Sequence, residues 1–212
     1  MVKIAPSTDP ISSLKELKAY IKEIESVAHF LHVDVMDGNF VERKTFDESV
    51  VSEINACTTL MLDVHLMVKT PDIKKYIDAG ANIITVHYEA YKNLKELKKA
   101  LKSIRKNKAL AGVSIKPSTD IEVIKPILPL CDLVLIMSVE PGRSGQKFLE
   151  STYEKIKNLK KKLGDNHIQI EVDGGVNAEN SKKLALSGAD ILVSGSYIYN
   201  SKSRQKAIKD LM

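Results

Sequence analysis

Phe30-Leu31-His32-Val33-Asp34-Val35-Met36-Asp37, followed by the helical pattern Asp47 to Ala56 and then by Met61-Leu62-Asp63-Val64-His65-Leu66-Met67-Val68, is the stretch on which the fold turns. Its two apolar runs are too short for ordinary helices and read as strands, while the segment between them spaces its apolar residues as a helix does. Strand, helix and strand in that order make a βαβ unit, whose strands lie parallel.

Outward from this unit the same alternation runs to both ends, with no Pro/Gly/Ser-rich linker. Further strands are predicted at Val2 to Ser7, Ile83 to Glu89, Ala109 to Lys116, Leu133 to Val139, Ile168 to Asp173 and Ile191 to Ser194. The remaining helical patterns are Ser12 to Ala28, Pro71 to Ala79, Asn93 to Lys106, Asp120 to Ile127, Ser151 to Leu163, Asn177 to Ser187 and Ser203 to Leu211. Several open on cap or first-turn residues such as Ser12, Asp47 and Pro71. Eight such units in 212 residues leave about 26 residues each, a compact form of the α/β (β/α)8 TIM barrel, and residues 1–212 read as one barrel domain. An open doubly wound sheet is the rival, but the chain has no G-x-G-x-x-G turn after its first strand or elsewhere. Barrels carry their chemistry at the carboxyl ends of the strands and often hold phosphate on the loops after the seventh and eighth.

A hydrophobic share of 43% and a charged share of 28% are those of an ordinary globular chain and exclude disordered, collagen-like and coiled-coil classes. No window approaches the roughly 18 to 20 unbroken apolar residues of a membrane span, and Met1 to Pro6 lacks the apolar core of a signal peptide. The expected setting is the cytoplasm, with no membrane partner. Cys57 and Cys131 stand far apart in apolar surroundings and read as reduced structural thiols. The formal charge of +5 comes from 32 Lys+Arg against 27 Asp+Glu. Its clusters, Lys98-Lys99, Lys160 to Lys162 and Lys182-Lys183, fall on helical patterns as solvated faces, and aromatics at 5% do not interleave with them. Nucleic acid is therefore not an expected partner; the charge at most steers an anionic metabolite.

Residues two apart in a strand share a face. In the second strand His32, Asp34 and Met36 point one way, with Val33, Val35 and Asp37 opposite; in the third, Asp63, His65 and Met67 oppose Val64 and Leu66. The seventh ends Glu171-Val172-Asp173-Gly174-Gly175. One such His would read as a satisfied core residue, but two His and two Asp from three strand ends converge at the barrel mouth. They are N and O ligands of the kind that hold Zn²⁺, Fe²⁺ or Mn²⁺. His87 and Glu89 share a face at the end of the fourth strand and lie behind this set. A ligating His needs a partner that fixes its tautomer; Glu89, Asp63 and Glu171 are all candidates, and an ordinary buried network is an equal reading.

Small residues mark the opposite rim: Gly142-Arg143-Ser144-Gly145 after the sixth strand, Gly174-Gly175 after the seventh and Gly195-Ser196 after the eighth. Glycine lets backbone N–H groups approach an anion, and loops feeding helix N-termini add a favourable dipole, so a phosphate cradle is expected there. A divalent metal between two carboxylates, with phosphate anchored opposite, suits a small ketose phosphate. The metal polarises the carbonyl and stabilises an enediolate. One carboxylate removes a proton beside the ketone and the other returns one to the opposite face, which is epimerisation without a redox cofactor. Met36, Met67 and Met137 would give this centre a polarizable, water-poor wall, although core packing is the ordinary role of Met.

His32-Val33-Asp34-Val35-Met36-Asp37-Gly38-Asn39-Phe40-Val41, Leu62-Asp63-Val64-His65-Leu66-Met67, Val139-Glu140-Pro141-Gly142 with Gly145-Gln146-Lys147-Phe148, and Glu171-Val172-Asp173-Gly174-Gly175-Val176 resemble the signatures of the ribulose-phosphate 3-epimerase family. The resemblance spans the whole chain. It implies a barrel of the ribulose-phosphate-binding type and an isomerase of the pentose phosphate pathway that interconverts D-ribulose 5-phosphate and D-xylulose 5-phosphate. It also implies that His32, Asp34, His65 and Asp173 bind one divalent ion, Zn, Fe, Mn or Co, with Asp34 as proton acceptor and Asp173 as donor in one direction. Ser7 and His65 would contact substrate, the glycine loops would hold its phosphate, and the chain would form a homo-oligomer, a dimer or hexamer. The chain departs from the family pattern at Thr8-Asp9-Pro10, Glu42-Arg43 and Arg143-Ser144, all on the rim and none in the metal set. Arg143 either adds a charge to phosphate or points to solvent. Two alternatives therefore stay open: a 3-epimerase of a longer ketose phosphate such as D-allulose 6-phosphate, and a non-catalytic sugar-phosphate-binding barrel.

Overall fold

The computed structural model describes residues 2–212. Each predicted strand run forms a strand: β1 (Lys3–Pro6), β2 (Phe30–Met36), β3 (Met61–Met67), β4 (Ile83–His87), β5 (Leu110–Ile115), β6 (Leu133–Met137), β7 (Gln169–Asp173) and β8 (Ile191–Ser194). They form one parallel sheet in the order β1-β8-β7-β6-β5-β4-β3-β2. Between β1 and β2 the ring is drawn together by fewer bonds: a parallel bridge of Ser7 with His32, the Thr8 amide donating to the His32 carbonyl at 2.9 Å, and the His29 amide to the Ile4 carbonyl at 3.0 Å. This is the nearly closed (β/α)8 barrel that the alternation predicts, and the consecutive strand order rules out the doubly wound sheet.

Both faces of each strand are covered, which is why the runs read as almost continuous apolar sequence. Outward residues such as Val33, Val35, Val64, Leu66 and Ile84 join the main core beneath the helices, whereas Ala5, Phe30, Ile83, Leu135 and Ile191 fill the lumen. At Gly112 of β5 the lumen leaves no room for a side chain, since a Cβ there would lie 2.1 Å from Thr85 Oγ1.

The helices are α1 (Leu14–Ile24), α2 (Glu48–Asn55), α3 (Ile73–Asp78), α4 (Leu94–Lys106), α5 (Ser151–Leu163), α6 (Ser181–Ser187), α7 (Ser196–Tyr199) and α8 (Arg204–Asp210). Ser13 rather than Ser12 caps α1, and Asp47 caps α2 by accepting from the Ser49 amide at 3.0 Å. Three differences from the sequence reading bear on the site. The helix expected from Asp120 is a 3₁₀ run, Ile121–Leu130, because Pro126 and Pro129 have no N–H to give an α-helix. The fourth strand stops at His87 and turns through a 3₁₀ segment, Tyr88–Ala90. After β8 comes a single-turn helix, α7, that the periodicity does not separate. Cys57 and Cys131 are both free, as expected.

Candidate active site

The pleat of β2, β3 and β7 sends His32, Asp34, Asp63, His65, Glu171 and Asp173 into the lumen, in the rows that the alternation predicts. Four of them converge: His32, Asp34, His65 and Asp173 each offer a ligand atom within 4.8 Å of the others. Asp34 is the hub, with Oδ1 3.5 Å from His32 Nε2 and 3.2 Å from His65 Nδ1. His32 and His65 are wholly buried, Asp34 nearly so, and Asp173 is half-buried. His32 Nε2 has no hydrogen-bond partner. A buried ring nitrogen left orphaned beside two carboxylates and a second imidazole is the donor set of a first-row divalent ion, so the residues fit a metal.

Behind the set, His32 Nδ1 donates to Asp63 Oδ2 at 2.6 Å, which makes Asp63 the partner that fixes this ring and leaves Nε2 facing the set. Glu171 stands further off, 3.7 Å from His32 Nδ1, and both its oxygens lack hydrogen-bond partners. Burial, with the charge of Asp63 added, raises Glu171 well above the usual carboxylate range. Burial also works against the Asp34 carboxylate, but the charge of His32, helped by His65, overrides it and holds Asp34 well below that range. Asp173 goes the other way, pushed up to about 8 by burial and then by the charge of Asp34. In the metal-free protein the two aspartates of one site are thus shifted in opposite directions, the kind of tuning that separates an acid from a base.

Above the set opens a cavity of about 1030 Å³. Ser7, Asp34, Asp173 and the three methionines Met36, Met67 and Met137 lie on its wall, the methionines at the ends of β2, β3 and β6. Ser7 Oγ donates to Asp34 Oδ2 at 2.6 Å. His65 is completely buried and absent from the cavity wall, so it reaches the cavity only through the cluster.

On the far side the wall is formed by Gly142 to Gly145, Gly174, Gly175, Gly195 and Ser196. Gly174 and Gly175 take φ of +119° and +63°, and Cβ atoms there would fall 2.5 Å from Val139 Cγ2 and 2.8 Å from the Phe148 nitrogen. Only glycine fits both the conformation and the space. Their loop is braced by Ser138 Oγ, 2.7 Å from the Asp173 carbonyl and 2.6 Å from that of Gly174, and by Asn180 Nδ2, which donates to the Gly175 carbonyl at 2.9 Å. The helix that opens at Ser196 has four residues, too short for the helix dipole anticipated there from sequence.

The rim departures explain one another. Arg43 pairs with Asp9, also donating Nη2 to the Asp9 carbonyl at 2.8 Å, and Arg143 Nη2 bonds Glu42 Oε2 at 3.1 Å with its side chain 75% exposed. Neighbouring residues of the loop after β2 therefore hold the loops after β1 and β6. Sequence reasoning put Asp9 on the rim as a departure from the family pattern but gave it no role; it lies on the cavity wall, where burial and the charge of Asp34 push its carboxyl to about 6. Thr8 was likewise named only as a rim departure, and Thr45 was missed. Thr8 Oγ1 accepts from the Asp34 amide at 3.2 Å, and Thr45 Oγ1 donates to the Asp34 carbonyl at 2.7 Å, so both hold the β2 backbone at the hub. Their only sequence signal is proximity to the strand ends.

A parallel barrel with a His₂Asp₂ centre at its strand ends, opening on a glycine-lined cavity, defines a barrel enzyme of the divalent-metal type. Residues 3–199 match the family described as "Ribulose-phosphate 3 epimerase family", and the chain belongs to that family. It is 40% identical over 217 residues to the ribulose-phosphate 3-epimerase of Bacillus subtilis (strain 168), covering all of this chain and 98% of the relative. It is 43% identical over 185 residues to that of Chlamydia muridarum, covering 84% and 80% respectively. Among solved structures it resembles KGPDC from Streptococcus mutans, with a TM-score of 0.76 at 15% identity over 99% of this chain and 95% of that one. A 3-hexulose-6-phosphate synthase aligns with a TM-score of 0.71 at 17% identity over 99% and 98%. These two likenesses concern the fold.

Proposed function

We propose that the chain interconverts D-ribulose 5-phosphate and D-xylulose 5-phosphate, a step of the pentose phosphate pathway, by moving a proton at carbon 3. The observation that carries this reading is the convergence of Asp34 and Asp173 with His32 and His65, both aspartates lying on the wall of a cavity that is also lined by glycine loops. His32, Asp34, His65 and Asp173 would hold one divalent ion, Zn, Fe, Mn or Co, since imidazole and carboxylate suit all four. Bound there, such an ion supplies a Lewis acid for the ketone and its developing negative charge.

The protein groups do the rest. Asp34, ionised and steadied by Ser7, accepts the proton from carbon 3; Asp173, which comes from the other side of the cluster on β7, returns one to the opposite face of the enediolate. The roles exchange in the reverse direction, as microscopic reversibility requires. Met36, Met67 and Met137 keep water from the planar intermediate. Gly142, Arg143, Ser144, Gly145, Gly174, Gly175, Gly195 and Ser196, all on the cavity wall, would take the phosphate. The Arg143 guanidinium is engaged by Glu42, so this loop would offer mainly backbone amides to the phosphate.

We further propose that residues 1–212 work as one domain in the cytoplasm and assemble as a homo-oligomer, dimer or hexamer. Among the described residues no helix is long and apolar enough to cross a membrane. Light scattering of the purified protein tests the assembly. For the reaction, NMR of D-ribulose 5-phosphate in deuterated buffer should show deuterium entering carbon 3 as xylulose 5-phosphate forms, and a chelator should stop it. No turnover of the pentulose with turnover of D-allulose 6-phosphate would transfer the assignment to the longer sugar; phosphate binding without turnover of either would leave a binding barrel.

A further inference from the structure

His65 presents Nδ1 to the cluster, 3.2 Å from Asp34 Oδ1, while its Nε2 lies 2.9 Å from Nε2 of His87. Two facing imidazole nitrogens at that distance share one proton, and nothing in the pair itself says which ring donates. The answer lies one residue further back. His87 Nδ1 is 3.2 Å from Glu89 Oε2, and the other oxygen, Oε1, accepts from the Lys116 amide at 2.8 Å and from Thr119 Oγ1 at 2.5 Å. Burial opposes a charge on Glu89, but its hydrogen bonds from His87, Thr119 and Lys116 hold the carboxyl down at about 2.

An ionised carboxylate only accepts. His87 then carries its proton on Nδ1, which leaves Nε2 as the acceptor; His65 donates from Nε2, and with an ion rather than a proton between His65 Nδ1 and Asp34 the Nδ1 lone pair is free to face the cluster. We infer that Glu89 and His87 are positioning residues that fix the tautomer and ring orientation of His65, so that it offers Nδ1 to a metal. The inference rests on the reading of the cluster as a metal site. The chain of contacts exists because β4 ends at His87 and the 3₁₀ turn brings Glu89 back under it. The loop that supplies the two donors to Glu89 is itself pinned, since Lys155 Nζ from α5 donates to the carbonyls of Lys116, Pro117 and Thr119 at 3.2, 2.6 and 2.8 Å.

Glu89→Gln is the informative change. The Lys116 amide demands an acceptor, so the new side chain turns its oxygen there and its NH₂ towards His87 Nδ1. The relay then runs backwards, and the proton ends on His65 Nδ1. With Co²⁺ alone, measured by competition against a chromophoric chelator, wild type should bind and Glu89→Gln should bind about 10- to 100-fold more weakly. Melting of the metal-free proteins should differ little, and ¹⁵N-histidine spectra of the zinc-loaded proteins should show the proton leaving His87 Nδ1 in the variant. Glu89→Asp, which keeps the acceptor, should recover most of the affinity. A second pair guards against a misfolded variant: His87→Gln can accept from His65 and should hold Co²⁺, whereas His87→Leu cannot and should not. Affinity in Glu89→Gln within about threefold of wild type, unchanged ring tautomers, or equal affinity in the two His87 variants would overturn the relay while leaving the metal site intact. Failure of wild type itself to bind Co²⁺ would remove the metal site and the relay together.

Discussion

Asp34 and Asp173 are the same residue type at the ends of two strands, and what separates them is their neighbours. Asp34 collects His32, His65 and Ser7; for Asp173, burial and the charge of Asp34 outweigh the influence of His32. Asp173→Asn should cut epimerisation by roughly 10²–10⁴-fold, the usual loss of a general acid or base, while inorganic phosphate still binds the glycine wall. Survival of near-normal turnover would remove the two-base reading. The raised group also carries a stability signature. From its ordinary 3.8 to about 8, the folded metal-free protein keeps a proton on Asp173 that the unfolded chain has released, so folding loses stability as pH rises through that window. Asp34, held low, acts in the opposite sense and only as pH falls below the ordinary carboxylate range. Urea melts of metal-free Asp173→Asn and wild type should therefore diverge in favour of the variant between about pH 5 and about pH 8. At this scale the convergence of His32, Asp34, His65 and Asp173 was legible because strand alternation puts His32 with Asp34 and Asp63 with His65. The partner of His32 was not, since Asp63 meets it through the β2–β3 register, a relation between strands.

The elements were legible wherever their periods were unbroken. The expected helix at Asp120 failed because apolar spacing cannot register that two prolines remove two N–H donors, and Pro126 and Pro129 leave a 3₁₀ run instead. The end of β4 failed for a different reason. Ile83 to Glu89 alternates like a strand, yet β5 continues the pairing only through His87 with Ser114, and beyond that the chain turns. Gly112 shows how one element constrains the next. Gly112→Ala would drive a Cβ into Thr85, which pairs with His65 in register, so about 1–3 kcal/mol of stability should be lost in urea melts, with a weaker metal site. An unchanged midpoint would mean the lumen relaxes freely there.

In the whole molecule the cluster joins the paired strands β2 and β3 to β7, which they meet only around the curve of the barrel. An ion held there would tie the better-bonded arc of the ring to the far side of the β1–β2 seam, where hydrogen bonds are fewest. A ligand at a hundredfold excess over its Kd stabilises by about 2.7 kcal/mol. Stripping metal with a chelator should accordingly lower the melting temperature and abolish turnover, and stoichiometric Zn²⁺, Fe²⁺, Mn²⁺ or Co²⁺ should restore both. A melting curve indifferent to chelation would argue against a resident ion. The rim is also decided at this scale. Asp9–Arg43 and Glu42–Arg143 clasp three loops that are far apart in the chain, and nothing near any one of them announces its partner.

Periodicities of two and three to four, repeated eight times in 212 residues, were enough to specify a parallel barrel and to put His32, Asp34, His65 and Asp173 at its mouth. Both follow from local geometry, since a pleat alternates faces whatever surrounds it. The tautomers, the opposed protonation of the two aspartates, the burial of His65 below the cavity wall and the loop clasp emerged with the closed ring. They depend on distances between strands and on how much water is excluded, and neither is a property of any one segment of chain.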